Sequence, residues 1–295
     1  MNSRRDTGQS GVGPFASAEE RRRAALQAAI AVARSLGLRA TRPGIIADSN
    51  NTIVHLAPTP IVAKVGTSHF RDAELESLER ELTVAMHLAN QDAPTVRPAR
   101  NVPPGPHKVG SAALTLWEHV GSLPGADLES SQTASALRAV HQALSDFSGS
   151  LPWFMVELKD AGRLLQPDRS ALPATDRSFL VDVLDDVETS LAARKMESQS
   201  LHGSPHGGNW LVTASGPILL DFETACTGPA EWDLAALDDA AVALFPDVDH
   251  ELIGVLRRMR SLCVAAKCWV EPNRAPEVGE AARVHLKLLR GQPLD

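Results

Sequence analysis

The chain has 295 residues, 43% of them hydrophobic and 22% charged, enough to bury a sizeable core in one large domain or two lobes. A formal net charge of -7 argues against nucleic acid as the main partner, because phosphate-backbone binding needs a concentrated basic surface. The cysteines Cys226, Cys263 and Cys268 show no C-x-x-C spacing; this excludes a disulfide framework and an obvious zinc site, and fits a reducing, cytoplasmic compartment.

Met1 to Ser17 is rich in Ser, Gly, Arg and Asp and has no apolar core, so it reads as a disordered tail rather than a secretory signal. No apolar run is long enough to span a bilayer. Ser17 then stands as an N-cap before the acidic first turn Ala18-Glu19-Glu20. The helix it opens carries Leu26, Ile30, Ala33 and Leu36 at helical spacing and should stop at Gly37. From Gly44 to Val65, β-branched runs alternate with turns at Asp48–Asn51 and Ala57–Pro60, predicting three antiparallel strands.

Phe70 to Ala89 is an amphipathic helix with Leu75, Leu78, Leu82, Ala85, Met86 and Ala89 on one face. The Pro-rich stretch Asp92 to Pro106 is loop or edge structure, and Ala112 to Trp117 is another apolar strand. Glu118-His119-Val120 and a Gly/Pro break follow. Beyond it the chain is mostly helical, with candidates at Ser131–Phe147, Thr175–Glu197, Trp232–Ala243, Asp249–Val270 and Pro276–Leu289. The only clear β signals there lie around Trp210–Val212 and Ile218–Leu220.

The chemistry concentrates in Leu201-His-Gly-Ser-Pro-His-Gly-Gly-Asn-Trp-Leu211, then Ile218-Leu-Leu-Asp-Phe-Glu223, then Gly228-Pro-Ala-Glu-Trp-Asp233. A Gly- and Pro-rich loop ends in an Asn, and a short strand then delivers an Asp. Kinase-like enzymes use that order to set an amide oxygen and a carboxylate around magnesium at a nucleotide's phosphates. Asn209 and Asp221 are hard oxygen ligands of the required type, and Glu223 is a third acidic candidate. His202 and His206 have the spacing of a helical zinc pair, but Gly203, Pro205 and Gly207 argue against a helix. Ser204 lacks the flanking glycines of a hydrolase nucleophile elbow.

These segments resemble the catalytic and metal loops of the aminoglycoside phosphotransferase and choline kinase family, which read His-Gly-Asp-x-x-x-x-Asn and then Asp-Phe-Glu or Asp-Trp-Glu. The resemblance extends over nearly the whole chain, to closing helices within Met259–Arg290. It implies an α+β, bilobal, protein-kinase-like fold, with a tail over 1–17, an N-lobe over 18–117 and a C-lobe over 118–295. It also implies ATP and magnesium as cofactors and a small-molecule hydroxyl as acceptor. An aminoglycoside or other amino alcohol would suit a cation-binding wall built from Asp182, Asp185, Asp186, Glu188, Asp238 and Asp239.

By the same resemblance, Lys64 reaches the phosphates while Glu81 holds its ammonium. The turn with Ser49 and Asn50 covers the phosphates, although it lacks glycines. Trp117, Glu118 and Val120 lie at the adenine edge, with Val54, Ala63, Leu211 and Leu220 as candidate walls. Asp233 accepts hydrogen bonds from the catalytic-loop backbone. One residue departs from the pattern: Ser204 stands where the family has its catalytic Asp. A serine orients a hydroxyl but is a poor base, and general-base help is worth about a hundred- to ten-thousand-fold. Phosphoryl transfer rests mainly on positioning and charge, so a phosphotransferase remains the expectation, with His206 either a substitute base or, as is more usual in the family's loop, a structural residue. A nucleotide-binding pseudokinase is the alternative.

Overall fold

A computed structural model describes residues 17–49, 51–66, 71–110, 112–123 and 125–293, the side chains of 71–74 apart. The expected tail therefore lies outside the described residues except for Ser17. That serine caps helix α1 (Ala18–Ser35), its Oγ accepting the Glu20 N–H at 3.1 Å, and Gly37 ends the helix region with a φ of 71°.

A five-stranded antiparallel sheet follows, from β1 (Gly44–Asp48), β2 (Asn51–His55), β3 (Ile61–Gly66), β4 (His107–Val109) and β5 (Ala112–Glu118), in the order β1-β2-β3-β5-β4. The short edge strand β4 was not anticipated; it pairs only with β5. Alternation sorts the side chains into two faces. Val54, Leu56, Ile61, Ala63, Val65, Leu114 and Leu116 pack with Ala25, Ala29 and Val32 of α1 in one buried cluster. At about 1.5–3 kcal/mol per fully buried Val or Leu, this face fixes the sheet's register, since a one-residue slip would expose all of it. The opposite face carries Ile53, Val62, Lys64, Thr115 and Trp117, cross-strand partners in the registers Ile53↔Lys64↔Thr115 and Val62↔Trp117. Helix α2 (Arg71–Asn90) packs on this second face through Leu82, Ala85 and Trp117.

The helical part comprises α3 (Ser130–Leu144), α4 (Val156–Leu164), α5 (Ala174–Ala192), α6 (Ala230–Leu234), α7 (Asp239–Val242), α8 (His250–Cys268) and α9 (Pro276–Leu289). Two small ribbons interrupt it: β6 (Gln199–Leu201) with β9 (Cys226–Gly228), and β7 (Trp210–Thr213) with β8 (Gly216–Leu219). The expected α+β order, sheet first and helices after, is therefore present. Several boundaries differ. The helix expected over Trp232–Ala243 is two, because Asp238 turns its carboxylate back to accept the Ala241 N–H at 2.7 Å and caps a new start. The helix expected to reach Phe147 stops at Leu144, where Ser145 Oγ donates to the Gln142 carbonyl at 2.7 Å. Helix α4, β6 and β9 were not foreseen. No helix among the described residues is long and apolar enough to cross a membrane.

One core joins α4, α5, α8 and the β6–β9 ribbon around Phe154, Trp232 and Met259; a second joins α3 to the β7–β8 ribbon around Trp210, Leu219 and Phe222. The second core holds up the loops between β6 and β9. Those loops face the sheet.

Candidate active site

Strand β3 points Lys64 off the α2-covered face, where its side chain is only 9% exposed. On α2 the buried stripe of Leu78, Leu82 and Ala85 brings Glu81 inward, 1% exposed. The two meet: Lys64 Nζ donates to both carboxylate oxygens of Glu81 at 2.8 Å. The opposing loop after β8 supplies two more carboxylates to the same ammonium, Asp221 at 2.8 Å and Glu223 at 2.7 Å. Asp221 stands in the left-handed region with φ 69°, the local bend that aims its side chain back at the sheet. Two donors complete the crossing: the Phe222 N–H reaches Glu81 at 3.2 Å and Asn51 Nδ2 reaches Glu223 at 2.7 Å.

Glu81, Asp221 and Glu223 thus bring oxygens within 4.8 Å of one another around a single positive charge. Burial, then the charges of Glu223 and Asp221, push the Glu81 carboxyl up to about 8 against the pull of Lys64. Burial alone would lower the Lys64 pKa, but Asp221, Glu223 and Glu81 hold it well above its usual value. Burial raises Asp221, and Lys64 more than reverses this, so that carboxylate stays ionised below its usual range. The cluster carries an excess of negative charge.

The loop between β6 and β7 is held from below by Asp233, which is fully buried. Its two oxygens accept the N–H groups of His202 at 2.9 Å and Gly203 at 2.8 Å, in the way the sequence implied, and His141 of α3 adds a third contact at 2.9 Å. Arg260 of α8 donates to the carbonyls of Gly203 and Trp232 while its guanidinium stacks 3.9 Å from the Trp232 ring centroid. Gly203 has φ 90°, and a Cβ there would collide with the carbonyl of Thr224, so the two loops touch backbone to backbone. His202 is structural: Nδ1 accepts the Ser204 N–H at 3.0 Å, and the Nε2–H that this leaves donates to the Leu220 carbonyl at 3.0 Å.

Asn209 gives its Nδ2 to the Ser204 carbonyl at 2.8 Å, leaving the amide oxygen as the end available to a ligand. Ser204 is half-buried, and among the described residues its hydroxyl makes no hydrogen bond. His206 is exposed, and its Nδ1 accepts the Gly208 N–H at 3.1 Å. A neutral imidazole so arranged carries its proton on Nε2, so its one lone pair is already engaged. That arrangement commits Nδ1 to the loop, so His206 acts as a base only where the Gly208 contact is released.

Of the expected adenine-side residues, Trp117 keeps its side chain out of the cleft. Its ring is buried against Leu82, Ala85 and Val96, and its indole N–H donates to Thr115 Oγ1 at 2.8 Å. Val54 and Ala63 face α1, so Ile53 and Val62 take the positions expected of them. The Glu118 side chain pairs with Arg100 at 2.7 Å, and the His119 N–H is taken by the Pro60 carbonyl at 2.9 Å. Val120 follows with a backbone N–H that no described residue accepts. Leu123 then donates to the Val212 carbonyl at 2.8 Å, which ties this connection to β7 and brings half-buried Leu211 beside it. Ser49 is exposed on the β1–β2 turn; Asn50 lies outside the described residues.

The expected acidic wall does not assemble. Asp186 pairs with Arg258, Asp239 pairs with Arg257, and Asp238 caps α7, while Asp182, Asp185 and Glu188 sit on the exposed side of α5. Asn51 lies in the turn expected to cover the phosphates, but its bond to Glu223 was not foreseen, and neither were the roles of His141, Arg260 and Arg274. Only their tertiary partners give them meaning.

A model of the phosphotransferase enzyme family matches residues 47–262. Solved structures with this fold include a choline/ethanolamine kinase family protein from Mesorhizobium loti, 14% identical with a TM-score of 0.56, covering 89% of this chain and 94% of that one. Choline kinase LicA from Streptococcus pneumoniae is 14% identical with a TM-score of 0.61, over 89% and 98% of the two chains. The amicoumacin kinase hAmiN, solved with AMP-PNP and Ca2+, is 11% identical with a TM-score of 0.59, over 92% and 97%. These likenesses establish the bilobal kinase-like fold. No curated protein sequence matches this chain.

Proposed function

The chain belongs to the phosphotransferase enzyme family, and on that premise we propose that it transfers a phosphoryl group from ATP, with magnesium, to a hydroxyl of a small molecule. The observation that carries the reading is one ammonium, Lys64, gripped by Glu81 from the sheet side and by Asp221 from the loop opposite. A cation so placed between lobes 18–117 and 118–295 is positioned to meet phosphates. Val120 would offer its backbone to the adenine edge, with Ile53, Val62 and Leu211 as apolar walls.

The donor set suits magnesium. Asp221, Glu223 and the amide oxygen of Asn209 are hard ligands, and the cluster's uncompensated charge favours a divalent cation. Asn209 and Asp221 would hold the ion, with Glu223 beside them. When bound, magnesium neutralises charge on the phosphate oxygens. Lys64 then steadies the phosphates, and Ser204 accepts a hydrogen bond from the acceptor hydroxyl and aims it. With no carboxylate at 204, the released proton passes to water. Asp186 and Asp239 are paired with arginines and Asp238 caps α7, so these three do not bias the acceptor toward a cation.

A second reading, a nucleotide-binding pseudokinase, is favoured by the uncommitted Ser204 hydroxyl. The two are separated by ADP release measured with aminoglycosides, choline and sugars as acceptors, beside thermal shifts with Mg–ATP for the wild type and Asp221→Ala. Transfer to any acceptor supports the enzyme. A magnesium-dependent shift lost in Asp221→Ala, with no transfer across the panel, supports the pseudokinase. No shift in the wild type would sink both.

A further inference from the structure

The β1–β2 turn has no glycine with which to mould itself around phosphates, so its shape must come from partners. Some are local: the Asp48 carboxylate accepts Thr52 Oγ1 at 2.7 Å and Arg21 Nη2 at 3.0 Å. Two others come from the helical part. Inside the cleft, Asn51 Nδ2 reaches Glu223 across 172 residues of sequence. At the outer edge, Arg274 Nε donates to the Ser49 carbonyl at 3.1 Å across 225 residues. Arg274 lies in the connection between α8 and α9. Its side chain is 9% exposed and also faces Glu271 at 3.6 Å.

We propose that Asn51 and Arg274 clasp this turn to the helical part at two points, and that the clasp does for the turn what glycines do elsewhere: it sets the backbone at the phosphates. Arg274 is then a positioning residue for the nucleotide, acting through Ser49. The contacts reach the turn rather than either core, so losing one frees the turn and leaves the buried clusters intact. The role at the nucleotide rests on the phosphotransferase reading; the clasp itself does not.

The test follows amide hydrogen exchange of residues 48–52 in the full chain without nucleotide, and ATP affinity with magnesium, for the wild type, Arg274→Met and Asn51→Ala. Each variant should speed exchange in the turn and weaken ATP binding, both on the order of tenfold, as expected for one lost charged or buried hydrogen bond. Exchange in α8 and α9 should stay as in the wild type. If Arg274→Met instead loosens α8 and α9 while the turn and ATP affinity are unchanged, Arg274 is merely structural and the proposal is overturned. Should Arg274→Met fail to fold, Asn51→Ala decides by the same two readouts. A wild type that does not bind ATP would end the phosphotransferase reading, yet turn exchange would still decide the clasp.

Discussion

The Lys64 ammonium lies 2.8 Å from Asp221 Oδ1, although 157 residues separate them in the chain. One is set by the pleat of a strand and the other by a left-handed bend after a ribbon, and Asp221 finds its counter-charge only across the cleft. Lys64 is therefore both a candidate phosphate contact and the neutralising centre of three carboxylates.

Removing that centre should cost stability in a pH-dependent way. In Lys64→Met the carboxylates lose their counter-ion and are relieved only by taking up protons. Glu81, raised from 4.5 to about 8, already favours the folded state most where it is protonated: its contribution is full below 4.5 and is lost as pH rises through about 8. The variant should lose about 3–5 kcal/mol near pH 8.5 and clearly less near pH 6, by urea unfolding. Equal losses at the two pH values would count against a shared charge cluster.

Ser204 is expected to orient rather than to take a proton. Ser204→Ala should lower turnover only roughly tenfold, about 1.4 kcal/mol, on whichever acceptor the panel reveals. Ser204→Asp restores a carboxylate beside Asn209 and should raise turnover. A loss in Ser204→Ala as deep as that in Asp221→Ala would contradict this role.

His206 should contribute little to the chemical step. Its Nδ1 is spent on Gly208, and partial desolvation of its ring against the loop, although the residue as a whole is exposed, and then the nearby Arg260 charge lower its pKa. His206→Ala should leave the pH dependence of kcat unchanged and alter kcat less than fivefold, on the order of 1 kcal/mol. Disappearance of an acid limb in that variant would restore the histidine as base.

The buried His202 makes a prediction for stability. Its pKa is lowered, chiefly by burial, and a proton on Nδ1 would destroy the bond from the Ser204 N–H. The unfolded chain takes up that proton near its ordinary value of about 6.5, before the folded chain does. The contribution to stability is therefore present above 6.5 and lost as pH falls through the folded value. Unfolding free energy should drop between pH 7.5 and 5.5, and less steeply in His202→Gln. An identical drop in both proteins would assign the dependence to other groups, such as His119 or His285, which shift the same way.

Much of this was legible where the signal is local. Pro276 at a helix start and Gly291 beyond its end frame α9, and the Asn209–Asp221 order announced the loops. The phase of β3 was not legible. Ile61, Val62, Ala63 and Val65 are apolar on both faces, so alternation gave no direction, and Val54 and Ala63 were assigned to the wrong side. Strands β6 and β9 have three residues each and gain stability only by pairing across the loop that holds Ser204 and Asn209. Nor does a lone Arg274 or His141 name its partner: the fold chooses it.

Gly203 and Ser204 are neighbours with opposite tolerances. At 203 any side chain meets the Thr224 carbonyl, so that position admits no variation while the two loops stay in contact. At 204 the side chain is half-buried and uncommitted, and every bond shaping the loop there runs through its backbone or through its neighbours. Exchange of serine for aspartate can then proceed in either direction without rebuilding the loop. In a lineage descended from this chain, the presence or absence of a catalytic carboxylate would be a reversible, single-residue choice, insulated from selection on folding.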